Sequence, residues 1–254
     1  MNTQKVALVT GSSQGIGAGI AKILGANQYN VIVTYKSHKE DAEDVVAEIK
    51  KTNGNAVLIQ LDVTSEVSVK TCMKFIANEF GRLDVLVNNA AVDGLSPLET
   101  CTLEKWRLIT QTKLDGNFLC AKYALPLLKK LNKSDIIVIM SHLGERVDPD
   151  DVAYSVATAG TVSFVKALAF ALAKYGVRTN GVGPGGVRTN NGYYREAKLT
   201  SDKTWEQFAK DNPLGRVATP EDVGQTVLEV ITNKSQFWNG NFVHVSGGEH
   251  LSHI

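Results

Sequence analysis

The chain has 254 residues, of which 43% are hydrophobic and 21% charged, and a formal net charge of +1. That length holds one large domain or two small ones, and the composition is that of a globular chain burying a sizeable core. A charge so near zero gives nucleic acid or an anionic membrane surface nothing to be drawn to, so neither is expected as a partner.

In chain order, Met1 to Lys5 carries no apolar signal segment and leads straight into a strand, Val6 to Val9. A glycine turn, Thr10 to Gly17, opens a helix over Gly17 to Gly25. Strand Val31 to Tyr35, helix Lys39 to Lys51 and strand Val57 to Gln60 follow. Ser65 caps a helix over Val67 to Phe80, Glu66 suits its positive end, and Gly81 suits a left-handed terminator. Strand Val85 to Asn88 precedes a long, broken helical stretch, Leu103 to Leu131. Strand Ile136 to Met140 leads to helix Ala153 to Tyr175, ended by Gly176. The apolar run Val162 to Val177 is interrupted by Lys166 and Lys174, and is expected to be too short and too charged to span a bilayer. Strand Arg178 to Val182 comes next. Residues Asn190 to Asn212 are polar with aromatics (Tyr193, Tyr194, Trp205, Phe208) and read as a helical flap on the substrate side. Thr219-Pro220-Glu221-Asp222 starts a helix to Thr232, and Phe242 to Val245 is the last strand.

Apolar strands alternating with helices imply a parallel sheet covered on both faces. No linker or repeat interrupts the alternation, so residues 1–254 are expected to form a single domain. Cys72, Cys101 and Cys120 are scattered without metal-ligand spacing. They predict no metal site and no disulfide framework, and they suit a reducing, cytoplasmic compartment.

Two sets of residues carry chemistry. In the first, Gly11, Gly15 and Gly17 lie directly after a strand and open a helix. Gly11 permits a tight turn, Gly15 lets the backbone approach a diphosphate, and Gly17 lets helix and strand pack closely. The helix N-terminus offers free N–H groups and a positive dipole end to phosphates. At the end of the second strand, Thr34-Tyr35-Lys36-Ser37-His38 has no acid before Glu40. An acid there would bond ribose hydroxyls, whereas Lys36 beside Ser37 suits a 2′-phosphate. The second set is Ser141 at a strand end and Tyr154, thirteen residues later, at a helix start.

This combination resembles the short-chain dehydrogenase/reductase family, and the resemblance covers essentially the whole chain. It implies an α/β fold: a single Rossmann-type three-layer sandwich with a seven-stranded parallel sheet, acting on a small-molecule substrate. It further implies cofactor contacts from Ser13, Gln14 and Ile16 in the glycine turn and from Tyr35, Lys36 and Ser37. Asp62 and Val63 fall where the family meets adenine. Asn89, Ala90 and Ala91 follow the fourth strand, with Ala91 where the family usually has glycine. Pro184, Gly185, Gly186, Val187 and Thr189 fall where the family clasps the nicotinamide amide and the diphosphate, and Gly247-Gly248 closes the last strand. With Lys36, this favours NADP(H) over NAD(H). Family members commonly pair through the two long helices, so a homodimer or homotetramer is expected.

In the family, the tyrosine exchanges a proton with the substrate oxygen, the serine holds that oxygen, and a lysine four residues after the tyrosine makes it more acidic and binds the nicotinamide ribose. Here that position is Thr158, and Lys113 stands where the family has an asparagine on the preceding long helix. A free tyrosine titrates at about 10. A cation about 5 Å away contributes on the order of 3 kcal/mol toward phenolate at an effective dielectric of about 20. Threonine supplies no such field. Two readings follow. Either Lys113 reaches into the vacated region and does the electrostatic work, or it turns outward or bonds an acid such as Asp115 and catalysis is lost. The first predicts an NADP(H)-dependent carbonyl reductase or alcohol dehydrogenase using Tyr154, Ser141 and Lys113. The second predicts a silent nucleotide-binding sensor or partner subunit. A third use of the same pocket is non-redox chemistry. On the substrate side, His142, the charged loop Gly144 to Asp151, and Val92-Asp93-Gly94 are expected at the mouth. His142 reads either as a second proton donor or as a packed histidine. The mixed charges point to a polar substrate rather than a fatty acyl chain.

Overall fold

The fold was taken from a computed structural model, which describes residues 4–92, 94–189 and 201–251, the side chain of Lys203 excepted. Seven strands form one parallel sheet: β1 (Val6–Val9), β2 (Asn30–Tyr35), β3 (Asn55–Gln60), β4 (Val85–Asn88), β5 (Ser134–Ile139), β6 (Val177–Pro184) and β7 (Phe242–Val245). Their order is β3-β2-β1-β4-β5-β6-β7. The order reverses between β1 and β4, and ligands of such sheets bind outside the carboxyl ends of the strands at that reversal. The strands are those read from the sequence. β5 begins earlier than expected because Ser134 and Asp135 pair with Val177 and Arg178 of β6.

Each strand sends alternate side chains to opposite faces. Ala7, Val9, Val31, Val33, Val85 and Val87 point one way, against α1 (Gly15–Ala26), α2 (Lys39–Lys51) and a C-terminal helix, Pro220–Thr232. Val6, Leu8, Ile32, Leu86, Ile136 and Val138 point the other way. They meet α3 (Glu66–Glu79), α5 (Gly116–Leu128) and α6 (Val152–Leu172). Both faces are therefore dry, which is why the strands read as unbroken apolar runs.

The helix ends follow their expected chemistry. Ser65 accepts the Ser68 amide at the start of α3. Thr219 and Asp222 form a reciprocal capping box with Pro220 in the first turn. Gly81 and Gly176 both take positive φ. The expected break in Leu103 to Leu131 is a single π-helical turn, Gln111–Asp115, between α4 (Leu103–Thr110) and α5. Among the described residues, α7 (Asp202–Asp211) and α8 (Pro220–Thr232) complete the α-helices. Of the expected flap, residues 190–200, including Tyr193 and Tyr194, lie outside the described residues. Its second half is α7, with Trp205 buried.

One expectation needs correcting. The apolar element is longer than the run Val162 to Val177, and Val152–Tyr175 is long and apolar enough to cross a membrane by length and composition alone. In the fold, α6 buries Val165 and Leu172 against the sheet, as a core helix does.

Candidate active site

A cavity of about 530 Å³ opens at the carboxyl edge of the sheet, beside the β1/β4 reversal. Its floor is built by the glycine turn. Gly11 has φ of +62°, and a Cβ there would lie 3.0 Å from Ala90 Cα. A Cβ on Gly17 would lie 2.3 Å from the Gly11 carbonyl oxygen, so only glycine lets α1 start this close to its own turn. The loop after β4 is stitched to that turn: Thr10 Oγ1 accepts the amides of Asn89 and Ala90, each at 2.9 Å. Asn89 Nδ2 donates to the carbonyls of Thr10 and Gly11. These bonds hold the turn open with the N-terminus of α1 facing the cavity, the arrangement that receives a diphosphate.

Of the residues expected to hold cofactor, Gly11, Ser13, Gln14, Ile16, Gly17, Lys36, Asp62, Val63, Asn89, Ala90 and Ala91 line this cavity. Pro184, Gly185, Gly186, Val187 and Thr189 do as well. Gly15 shapes the turn, with φ of +56°, without lining it. Tyr35 and Ser37 do not line it either. Tyr35 packs on the hydrophobic core, and the Ser37 hydroxyl pairs with His38, which lines the cavity instead. β2 ends at Tyr35, and in the bend that follows it is Lys36 and His38 that line the cavity. Lys36 Nζ lies 2.9 Å from Asp62 Oδ2. Burial works against the Asp62 carboxylate, but Lys36 and the Thr64 hydroxyl and amide outweigh it and hold the group below the ordinary carboxylate range. Glycine turn and cavity size together fit a nicotinamide dinucleotide.

The reacting end is assembled from three elements. Ser141 leaves β5 in an extended conformation and accepts the Leu143 amide at 3.2 Å, which starts a 3₁₀ turn over His142–Gly144. Tyr154 stands in the first turn of α6. Its amide donates to Asp151, the cap of that helix, and Asp151 also accepts the Ser96 hydroxyl. Lys113 comes from the π turn, where it is buried to 1% exposure. A π turn widens the helix by one residue and re-aims its side chains, and such turns cluster at functional sites. Lys113 Nζ donates to Tyr154 Oη at 3.3 Å and lies 4.4 Å from the centre of the tyrosine ring. The outward-turned alternative for Lys113 is not the one observed. Ser141, Tyr154 and Lys113 all line the same cavity.

Thr158 does not line the cavity. It is fully buried one turn after Tyr154, and its hydroxyl has no hydrogen-bond partner among the described residues. The loop after β5 closes over it: a Cβ on Gly144 would lie 3.2 Å from Thr158 Cγ2. A threonine leaves that loop room to pack where a long side chain would have to pass.

His142, Asp148, Asp151 and Val92 line the cavity as expected, Gly94 and residues 144–147, 149 and 150 do not, and Asp93 lies outside the described residues. Phe208, of the expected flap, lines the cavity too, and Thr112 and Glu249 line it without having been singled out from the sequence. An Asp three residues before Tyr154 is a readable cap signal for Asp151. Glu249 carries no local signal, since it arrives from a 3₁₀ turn beyond β7. Cys72 and Cys120 are buried in the core, and burial pushes the Cys72 thiol up to about 12.

The family model described as enoyl-(acyl carrier protein) reductase matches residues 11–250. The chain is 34% identical over 251 residues to the 3-oxoacyl-[acyl-carrier-protein] reductase FabG of Staphylococcus aureus, covering 99% of this chain and 100% of that one. It is 35% identical over 247 residues to a 3-oxoacyl-[acyl-carrier-protein] reductase of Synechocystis, covering 97% of each. Among solved structures it is similar to the acetoin dehydrogenase YohF from Salmonella typhimurium, with a TM-score of 0.86, 25% identity and 99% of each chain covered.

Proposed function

The chain belongs to the short-chain dehydrogenase/reductase family of nicotinamide-dependent oxidoreductases, and from that premise we propose that it is an NADP(H)-dependent carbonyl reductase whose active-site cation has moved from the tyrosine helix to the π turn. The observation that carries this reading is the 3.3 Å contact between Lys113 Nζ and Tyr154 Oη. The cofactor supplies hydride when bound. The protein does the rest. Ser141 hydrogen-bonds the substrate oxygen and fixes the carbonyl against Tyr154. The Tyr154 hydroxyl gives its proton to that oxygen, turning C=O into CH–OH. Negative charge then builds on the phenol oxygen, and the Lys113 ammonium is already in place to stabilise it. In the reverse direction the same ammonium favours the phenolate that takes the alcohol proton.

Preference for NADP(H) is supported by Lys36 at the cavity edge and by the absence of an acid between Tyr35 and Lys39. Residues 190–212 are proposed as a substrate-side flap because α7 sends Phe208 into the cavity wall. A homodimer or homotetramer is proposed through α5 and α6, which expose Phe118 and Phe170 on their outer faces. A cytoplasmic location fits the three free cysteines.

The test follows NADPH absorbance against a panel of ketones and aldehydes, including acetoacetyl thioesters. Oxidation of NADPH with alcohol formation is expected, and NADH should serve less well. Tight NADPH binding with no oxidation by any carbonyl would replace this reading with a silent nucleotide-binding protein. Product formed without net cofactor change would replace it with non-redox chemistry.

A further inference from the structure

Among the described residues lining the cavity, the lysines are Lys113 and Lys36, and no arginine joins them. Lys113 stands at the reacting end, against Tyr154. Lys36 is the cation of the opposite end, where the bend after β2 meets the bend after β3. It is already engaged there, with Nζ 2.9 Å from Asp62 Oδ2.

The two partners are unequal. Asp62 is fixed by its neighbours: its amide donates to Ser68 Oγ at 3.0 Å, and its Oδ1 accepts the Thr64 amide at 3.0 Å and the Thr64 hydroxyl at 2.7 Å. Lys36 is held through its backbone, where its carbonyl accepts Gln60 Nε2 at 2.9 Å. Its side chain is 61% exposed, against 31% for Asp62, and rides on a flexible four-carbon stem. The carboxylate is therefore the fixed member and the ammonium the mobile one. A phosphate arriving at this end meets a cation whose charge is already answered. It gains Lys36 by sharing it or by taking it over, and sharing leaves two anions close together. A ribose hydroxyl is neutral and meets no such repulsion.

We infer that Asp62 is a specificity-determining residue: its carboxylate competes with a 2′-phosphate for the Lys36 ammonium and so narrows the preference for NADP(H) over NAD(H). This rests on the NADP(H) reading above and names the residue that restrains it. Asp62 is charged throughout the neutral range, because the Lys36 and Thr64 contacts outweigh burial and hold its carboxyl below the ordinary carboxylate range. The competition therefore operates whenever cofactor binds.

The test is calorimetric binding of two probes to the full chain, adenosine 2′,5′-bisphosphate and adenosine 5′-monophosphate. They differ in the 2′-phosphate alone, so any contact of Asp62 with the adenine ring cancels in the ratio of their affinities, and no turnover is needed. Asp62→Asn keeps an oxygen for Thr64 and removes the charge. It should raise the affinity ratio in favour of the bisphosphate by roughly three- to tenfold, and by less in high salt. Asp62→Ser loses the same charge by a different side chain and should raise the ratio too. In a Lys36→Met background most of the rise should vanish. An unchanged or lower ratio in the Asp62 variants overturns the inference, and a lower one would mean that Asp62 holds Lys36 ready for the phosphate. A rise just as large without Lys36 also overturns it, since Asp62 would then act by plain repulsion. If wild type binds the two probes equally, the NADP(H) reading fails by itself. The inference is still decided by the Asp62 variants: a raised ratio upholds the competition and an unchanged one overturns it.

Discussion

Lys113 and Tyr154 lie on different helices, yet the Lys113 ammonium is 3.3 Å from the Tyr154 hydroxyl and 4.4 Å from the centre of its ring. The resemblance places a cation one turn after the tyrosine on its own helix, where this chain has Thr158. On the proposed reading, the positive charge has changed helices while the phenol has kept its companion. The geometry also differs. The ammonium sits partly over the ring face, where it is attracted by the π-electrons as well as by the oxygen.

Lys113→Met removes the charge and keeps the bulk. At this distance a unit charge interacts with phenolate by about 5 kcal/mol at an effective dielectric of about 20. Partial desolvation of the ammonium offsets some of that, so kcat should fall roughly a hundred- to a thousandfold. Alcohol oxidation should suffer more than reduction, and should recover as pH rises toward about 10, where an unassisted phenol ionises. Thermal stability should hold or rise, because a buried cation is replaced by an apolar chain. Steady-state rates in both directions across pH, with a melting curve, check all three. Unchanged turnover would dispose of the relocated cation.

Thr158→Val tests whether the position one turn after Tyr154 is merely packing. The Thr158 hydroxyl is buried without a hydrogen-bond partner among the described residues. Replacing it with a methyl group removes a desolvated polar atom at nearly constant volume. The expected result is a protein more stable by about 1 kcal/mol in denaturant unfolding, with kcat little changed. A clear loss of activity would mean that the hydroxyl reaches the reacting groups.

Lys36→Glu bears on cofactor choice. Lys36 pairs with Asp62 at 2.9 Å on the rim of the cavity. The reversed charge should repel a 2′-phosphate and accept a ribose hydroxyl. The kcat/KM for NADPH should fall roughly ten- to a hundredfold while that for NADH holds or improves. The drop should shrink in high salt. Equal effects on the two cofactors would remove Lys36 from the argument.

Asp222→Ala probes the start of α8 and gives a pH signature. Asp222 accepts from Arg216 Nη1 at 2.6 Å and from the Thr219 amide at 2.8 Å. The Arg216 hydrogen bond comes first, and against the opposing effect of burial these contacts lower the carboxyl from 3.8 to about 2. A depressed acid contributes stability above its unfolded value and loses it as pH falls through the folded one. The variant should therefore be about 1 kcal/mol less stable at neutral pH. That difference should narrow from pH about 4 downward toward about 2. Urea unfolding of both proteins at neutral pH and at successive acid values reads it directly.

Local order was legible in the chain itself. The glycine turn, the seven apolar strands and the caps at Ser65 and Thr219 each depend on a few neighbouring residues and on a fixed period, so the fold and the cofactor floor could be read without coordinates. The site's chemistry was legible only in part. Lys113 was visible as a displaced cation, but its direction depends on the π turn Gln111–Asp115, which no local spacing rule announces. The resemblance put Tyr35 and Ser37 at the cofactor, but Tyr35 packs on the core and the Ser37 hydroxyl pairs with His38. Glu249 meets the Ser141–Arg146 loop across a separation of 103 residues. No spacing rule reaches that far. Short-range propensity and periodicity are properties of the chain, whereas the meeting of an ammonium with a phenol, or a carboxylate with an imidazole, is decided by how separate elements pack.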